Sequence, residues 1–320
     1  MTETSEPNAV EIPKPLHLLT DRELERKEQV ARVTTEVLRY LTNEFTRRGF
    51  EWLLPVVFSK STDPLWPDPG ASIEKRVETE IYGEAVRTTH SMIIHKLVAS
   101  STAYPRHFVL SPNVRIERRE RKSTGWHTYE FTQLDFEMRG AGFEDVRGLV
   151  EDVVAGLVAR LNTTGDLPVS FDGRGVLEAP FEVHDRRDLE ARYGQEWERI
   201  LPQRIGHPVW VRNIPREFYD FEDPATGTWD NYDLFVPGYG EVLSGARREW
   251  ECDRIVAKMN RDGVDQKNFS LFLRLAMEGR IKPSAGAGIG IERVVSWIVG
   301  ARHIGEVQPF PKVPGVVYDL

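Results

Sequence analysis

"PSAGAGIGIERVV", Pro283–Val295, crowds three glycines into five residues (Gly286, Gly288, Gly290) and runs into a helical pattern holding Glu292 and Arg293. A dinucleotide fingerprint needs G-x-G-x-x-G directly after an apolar strand, with an acidic residue about 20 positions on. Here the preceding stretch is "MEGRIKPS", and Ile291 stands at the third glycine position. A P-loop needs Lys-Ser or Lys-Thr after its glycines, and neither follows. What remains is a glycine-lined strand turning into a helix. Bare backbone lets a flat ligand lie close, and Arg293 in the first turns can meet phosphate oxygens in pairs. A plain packing motif is the competing reading.

The partner surface is sought in two strand candidates upstream, "RHFVLSPNVRIE" and "HTYEFTQLDFEMRG". The two-residue period of a strand puts Phe131, Gln133, Asp135 and Glu137 on one face and Thr132, Leu134 and Phe136 on the other. On the first strand, Asn113, Arg115 and Glu117 share a face. Such a polar face is either solvent-exposed or the floor of a polar pocket. The tip between the strands, "RIERRERK" (Arg115–Lys122), holds five basic residues against two glutamates and reads as a solvated hairpin tip.

Elsewhere, Val30, Val33, Val37, Leu41 and Phe45 recur at helical spacing from Asp21 to Arg48, and Gly49 is a sensible stop. "FEWLLPVV" reads as a buried strand interrupted by Pro55. "STDPLWPDPGAS", with three prolines, reads as a loop long enough to be a lid or binding loop. Helices are expected from Phe143 to Leu161, around Asp185 to Ile200, from about Arg247 to Asn260 and from about Asn268 to Gly279. "VWVRNI" and "NYDLFVPGYGEVLSG" read as strands. Strands mixed with helices, without regular βαβ alternation, predict an α+β domain on an antiparallel sheet. Residues 1–20 read as a polar tail and 21–320 as one domain.

Composition narrows the class. The chain has 320 residues, 40% hydrophobic and 29% charged, as in ordinary soluble domains. No apolar run approaches the roughly 20 residues of a membrane span, and the N-terminus lacks a signal-peptide pattern. One cysteine, Cys252, excludes internal disulfides and cysteine-clustered zinc, which points to the cytoplasm. A net charge of −8 argues against general nucleic-acid affinity.

Four segments together carry a resemblance. "GIGIER" with "GARHIGEVQPFPK" resembles motif 3 of the class II aminoacyl-tRNA synthetases, in the aspartate/asparagine branch. "VRIERRERKSTGWHTYEFTQLDFE" resembles motif 2, "FTRRGFEWLLPVV" motif 1, and "GYGEVLSGARRE" the acidic metal and substrate-arginine segment. Their order and spacing span nearly all of residues 21–320. Against that branch, about 20 residues precede the first helix where an anticodon-binding barrel is expected. "WLLPVV", "STDPLWPDP", "THSMIIHK" and "SAGAGIGIER" resemble the stand-alone archaeal-type asparagine synthetase derived from the same core.

The resemblance implies a class II catalytic core and a homodimer built on motif 1. It implies ATP held by Arg115 at the α-phosphate, Glu117 at the adenine amino group, Phe131 and Arg293 sandwiching the ring, Gly288 and Gly290 beneath it, and His127 toward the γ-phosphate. Trp126 stands where the family usually has arginine. Mg²⁺ would sit on Glu241 and Ser244, with Arg115, Arg293 and Glu241 as the catalytic groups. Lys96 and Arg248 would hold the carboxylate side chain of aspartate, Lys96 standing where an asparagine-selecting enzyme usually has glutamate, and Ser91 and Asp135, with Gln133 nearby, would hold the amino group. Ile93 replaces a glutamine of the aspartyl enzymes, and Arg247 beside Arg248 leaves the choice of arginine open. The expected reaction is adenylation of aspartate and amide formation with ammonia, with tRNA an unlikely partner. Alternatives are transfer to another small amine, or a non-catalytic amino-acid- or tRNA-binding paralogue.

Overall fold

A computed structural model describes residues 10–65, 73–164 and 176–319. The first nine residues of the expected tail, and positions 66–72 of the expected binding loop, lie outside the described residues. The chain opens with α1 (Asp21–Arg47), then β1 (Glu51–Trp52), β2 (Phe58–Ser59), β3 (Ile73–Lys75), β4 (Glu78–Ile81) and β5 (Glu84–Thr88). Helix α2 (Ile93–Ser101) leads to β6 (Arg106–Val114), β7 (Ile116–Glu117) and β8 (Glu130–Arg139). Then follow α3 (Phe143–Thr163), β9 (Glu182–Asp185), α4 (Arg186–Tyr193), α5 (Trp197–Ile200) and β10 (Val209–Arg212). The last third holds β11 (Asn231–Val236), β12 (Gly240–Arg247), α6 (Cys252–Arg261), α7 (Ser270–Met277), β13 (Ser284–Gly290) and α8 (Ile291–Val299).

Eight strands form the main sheet in the order β1-β6-β8-β13-β12-β11-β10-β9. The neighbours from β6 to β10 pair antiparallel, and a parallel strand is added at each edge, β1 beside β6 and β9 beside β10. The expected α+β class on an antiparallel sheet therefore holds for the centre, and the whole sheet is mixed.

One face of the sheet is apolar. Val30, Val33, Val37, Leu41 and Phe45 of α1 bury against it with α3 and α8, meeting Leu134, Phe136, Ala285, Ala287 and Ile289. Helix α1 starts with a capping box: Thr20 Oγ1 accepts from Glu23 N, and the Glu23 carboxylate accepts from Thr20 N at 2.7 Å. It ends before Gly49, whose φ of +79° a side chain would resist. On the other face, α2, α6 and α7 pack with Phe218 and Tyr219 in a separate apolar cluster, leaving a polar gap over β8, β13 and β12.

Two local expectations change. "FEWLLPVV" is not a buried strand: β1 is two residues long, and Trp52 and Leu54 are 55% and 89% exposed. The chain leaves the sheet after Leu53 N donates to Phe108 O, just before Pro55. The helix expected from Arg247 begins at Cys252, because β12 continues pairing with β13 through Arg247. Among the described residues, no helix is long and apolar enough to cross a membrane.

Candidate active site

The glycine strand and the polar strand solve each other's problem. In the β8–β13 register, Gly286 stands opposite Glu137, Gly288 opposite Asp135 and Gly290 opposite Gln133. A Cβ on Gly286 would lie 2.4 Å from Glu137 Oε2, and one on Gly288 would lie 2.9 Å from Gln133 Nε2 and 3.0 Å from Asp135 Oδ1. The missing side chains are the room into which three polar side chains lean. Ala285, Ala287 and Ile289 point the other way, into the core. The polar face of β8 is thus a pocket floor and not a solvent face: Asp135 and Glu137 are 2% and 0% exposed.

Ser91, Lys96, Arg115, Glu117, His127, Phe131, Gln133, Asp135, Glu241, Ser244, Arg248, Gly288, Gly290 and Arg293 all line one cleft over this floor. Its inner end is a closed ionic cluster. Lys96 Nζ donates to Asp135 Oδ1 at 2.9 Å and to Ala287 O and Phe136 O at 3.3 and 3.5 Å. Arg248 donates to Asp220 Oδ1 at 2.6 Å, Gly286 O at 3.1 Å and Glu137 Oε1 at 3.3 Å. Neither cation stands open, while Asp135 Oδ2 and Glu137 Oε2 are buried without a hydrogen-bond partner among the described residues. Of the adjacent arginines, Arg248 enters the cleft, and Arg247 lies over the rings of Phe221 and Trp250, 4.4 and 5.0 Å from their centroids.

The outer end carries the remaining groups. Arg115 lies 5.2 Å from the Phe131 ring centroid, donates through Nε to His90 O at 3.1 Å, and has only a 3.9 Å contact with Asp63. Glu117 accepts from Arg121 at 2.8 Å, and burial pushes its carboxyl up despite Arg121 and Arg115. Burial, with Arg293, Arg121 and Arg115 nearby, pushes His127 down to about 3, so its imidazole is neutral. Trp126 packs edge-on against Tyr239, with centroids 4.5 Å apart, beside Gly240.

Glu241 and Ser244, three residues apart, would fall on opposite faces of a regular strand. The register of β11 with β12 shifts between Leu234 and Phe235, pairing Leu234 with Leu243 and Phe235 with Glu241, so that Val242 is the extra residue. That bulge turns both side chains into the cleft. Arg293 Nη1 donates to Glu241 Oε1 at 3.0 Å and to Glu241 O at 3.2 Å. Asp233, opposite Ser244 in the ladder, accepts from Arg216 through Oδ2 and keeps Oδ1 buried with no hydrogen-bond partner among the described residues; burial together with Glu241 pushes it up to about 7 despite Arg216.

Sequence reasoning missed Asp63, Arg216, Glu217, Tyr219 and Asp220, which also line the cleft. They come from two irregular segments with no periodicity to mark them. Only "STDPLWPDPGAS", read as a binding loop, pointed toward Asp63.

The family described as class II tRNA synthetases (D, K and N) matches residues 17–314. Asparagine–tRNA ligases of Streptococcus pyogenes serotype M5 (strain Manfredo) and Streptococcus agalactiae serotype III (strain NEM316) are each 28% identical. The matches cover 90% and 80% of this chain but 69% and 63% of those proteins. Asparaginyl-tRNA synthetase from Pyrococcus horikoshii, complexed with asparaginyl-adenylate, superposes with a TM-score of 0.80 at 22% identity, over 95% of this chain and 74% of that one. The Entamoeba histolytica enzyme, also with asparaginyl-adenylate, gives 0.79 at 21% identity, over 92% and 69%.

These matches correct two expectations. The relatives are named for joining asparagine to tRNA, so the reading of an aspartate–ammonia ligase falls, and so does tRNA as an unlikely partner. The second error was physical: net charge averages over the whole surface, whereas binding follows the local field. The narrower likeness to a stand-alone asparagine synthetase gains no support from these relatives.

Proposed function

Since this chain belongs to the class II tRNA synthetases (D, K and N), we propose that it is an ATP-dependent, AMP-forming ligase that activates asparagine and transfers it to tRNA. One observation carries the amino-acid choice. Lys96 and Arg248 contribute two positive charges to the inner cluster, and Asp135, Glu137 and Asp220 surround them with three carboxylates. All three Lys96 N–H groups already have acceptors. Such a cluster disfavours a further carboxylate and suits an ammonium with a neutral amide side chain. The names of the relatives agree with that chemistry.

In this reading, Asp135 Oδ2 receives the substrate's ammonium, with Ser91 and Gln133 beside it. The amino acid's carboxylate then faces the outer end, where Arg115 has guanidinium N–H groups to offer an α-phosphate. Phe131 and Arg293 border the space for adenine, and Glu117 stands at its edge. The oxygen set of Glu241, Ser244 and Asp233 fits Mg²⁺: these are hard oxygen donors, and Asp233 Oδ1 is buried with no hydrogen-bond partner among the described residues. When bound, the ion neutralises phosphate charge. No general base is needed: the carboxylate displaces pyrophosphate at the α-phosphorus while Arg115 and Arg293 hold the developing charge. The tRNA 3′-terminal hydroxyl then attacks the acyl carbon, its proton passes to the phosphate of the leaving group, and AMP leaves.

The test is ATP–pyrophosphate exchange with asparagine and with aspartate, followed by acylation of total tRNA. Exchange with asparagine and base-labile asparaginyl-tRNA are expected. Exchange with aspartate alone would overturn the amino-acid choice, and adenylate formation without acylated tRNA would overturn the acceptor.

A further inference from the structure

Beyond the cleft, Glu249 is a fully buried carboxylate with donors on both oxygens. Its Oε1 accepts from Trp250 N at 3.1 Å and Glu251 N at 3.4 Å. Its Oε2 lies 3.0 Å from Arg254 Nε and 3.3 Å from Lys258 Nζ, both on α6. Lys258 Nζ also donates to the backbone oxygen of Asp220, and Arg254 Nη2 to that of Glu222 at 2.6 Å. The same strip is stitched to the chain around Arg248: Glu249 N donates to Tyr219 O at 2.8 Å and Phe221 N to Arg247 O at 2.9 Å. Asp220 in turn grips Arg248 at 2.6 Å.

Tyr219 and Asp220 reach the cleft from outside the strands of the main sheet, on a strip held by two isolated bridges, Asp220 to Arg248 and Glu222 to Trp229. We infer that Glu249 and Lys258 are positioning residues that clamp this strip to α6 and so set Asp220 and Arg248 at the amino-acid end of the cleft. This inference rests on the amino-acid-activating reading above. Its sign is directional. Among the described residues, the bonds of Glu249, Arg254 and Lys258 reach the strip at Asp220 and Glu222 and none reaches Arg293 or Glu241, so a change in the clamp is felt first by the amino acid and less by ATP. A buried carboxylate that served only to hold α6 would loosen both ends alike.

The experiment is steady-state exchange on the full chain with Lys258→Met and Glu249→Gln, varying asparagine and ATP separately. Calorimetry with a non-hydrolysable asparaginyl-adenylate analogue and with a non-hydrolysable ATP analogue gives a readout independent of turnover. The expected result is a KM for asparagine raised about ten-fold, the worth of one charge-assisted hydrogen bond, with KM for ATP and kcat within roughly two-fold. Binding of the adenylate analogue should weaken and that of the ATP analogue should not. Glu249→Asp should restore part of the loss. If Lys258→Met does not fold, Arg254→Lys, on a half-buried side chain of the same clamp, should show the same split in smaller measure. Equal changes in both KM values, or none in either, would overturn the inference. A wild-type chain with no amino-acid-dependent exchange would instead sink the proposed function.

Discussion

The Lys96 ammonium sits 2.9 Å from one oxygen of Asp135 and leaves the other, Oδ2, buried without a hydrogen-bond partner among the described residues. A buried, unpaired carboxylate oxygen costs free energy unless something fills its place. Asparagine should therefore raise the melting temperature of the wild-type protein through its ammonium. Asp135→Asn should melt lower, since Lys96 loses its charged partner, and should show no shift with asparagine. Equal ligand shifts in the two proteins would show that the ammonium binds elsewhere.

The two inner glycines of β13 should fail in different ways. A Cβ at Gly286 would lie 2.1 Å from Phe136 O, a backbone atom that cannot move without parting the strands. Gly286→Ala should cost stability on the order of 1–3 kcal/mol, as overpacking does. At Gly288 the nearest atoms are side-chain tips, Gln133 Nε2 at 2.9 Å and Asp135 Oδ1 at 3.0 Å, and no backbone atom stands as close. Gly288→Ala should keep its denaturation midpoint close to wild type and lose adenylate formation. The reverse ordering by denaturant titration would contradict this geometry.

Glu217 is pushed up to about 8, chiefly by burial and then by the charge of Asp63. Its unfolded value is near 4.3, so between these values the folded state holds a proton that the unfolded state has released. Stability from this group is full below the unfolded value and is lost as pH rises toward 8. Melting temperature should fall across that window, and Glu217→Gln should make the fall shallower. Parallel wild-type and variant curves would place the titration elsewhere.

Trp52, Leu54, Val57 and Phe58 are exposed within seven residues of one edge segment. Apolar side chains so gathered mark an interface. The protein should scatter light as a dimer at micromolar concentration, and Leu54→Glu, at an 89% exposed position, should give a folded monomer. A monomeric wild type would remove this role for the segment.

How much of this was legible beforehand depends on whether the physics was local. The two-residue period of β8 placed Phe131, Gln133, Asp135 and Glu137 together, and the helical spacing of Val30, Val33, Val37, Leu41 and Phe45 drew the buried stripe of α1. Both patterns follow from backbone geometry within one element, which sequence encodes directly. Four segments marked the family for the same reason, each being a short stretch with its own spacing. Whether the β8 face met water or a pocket was not local. It was decided by the pairing of Gly286, Gly288 and Gly290 with that face, across a gap of more than a hundred residues. The bulge at Val242 brought Glu241 and Ser244 to one side, against the strand's period. The resemblance gave Lys96 and Arg248 as holders of a substrate carboxylate. Only the fold shows them gripped by Asp135, Glu137 and Asp220, because the sign of a pocket is a sum over residues that are neighbours in space alone.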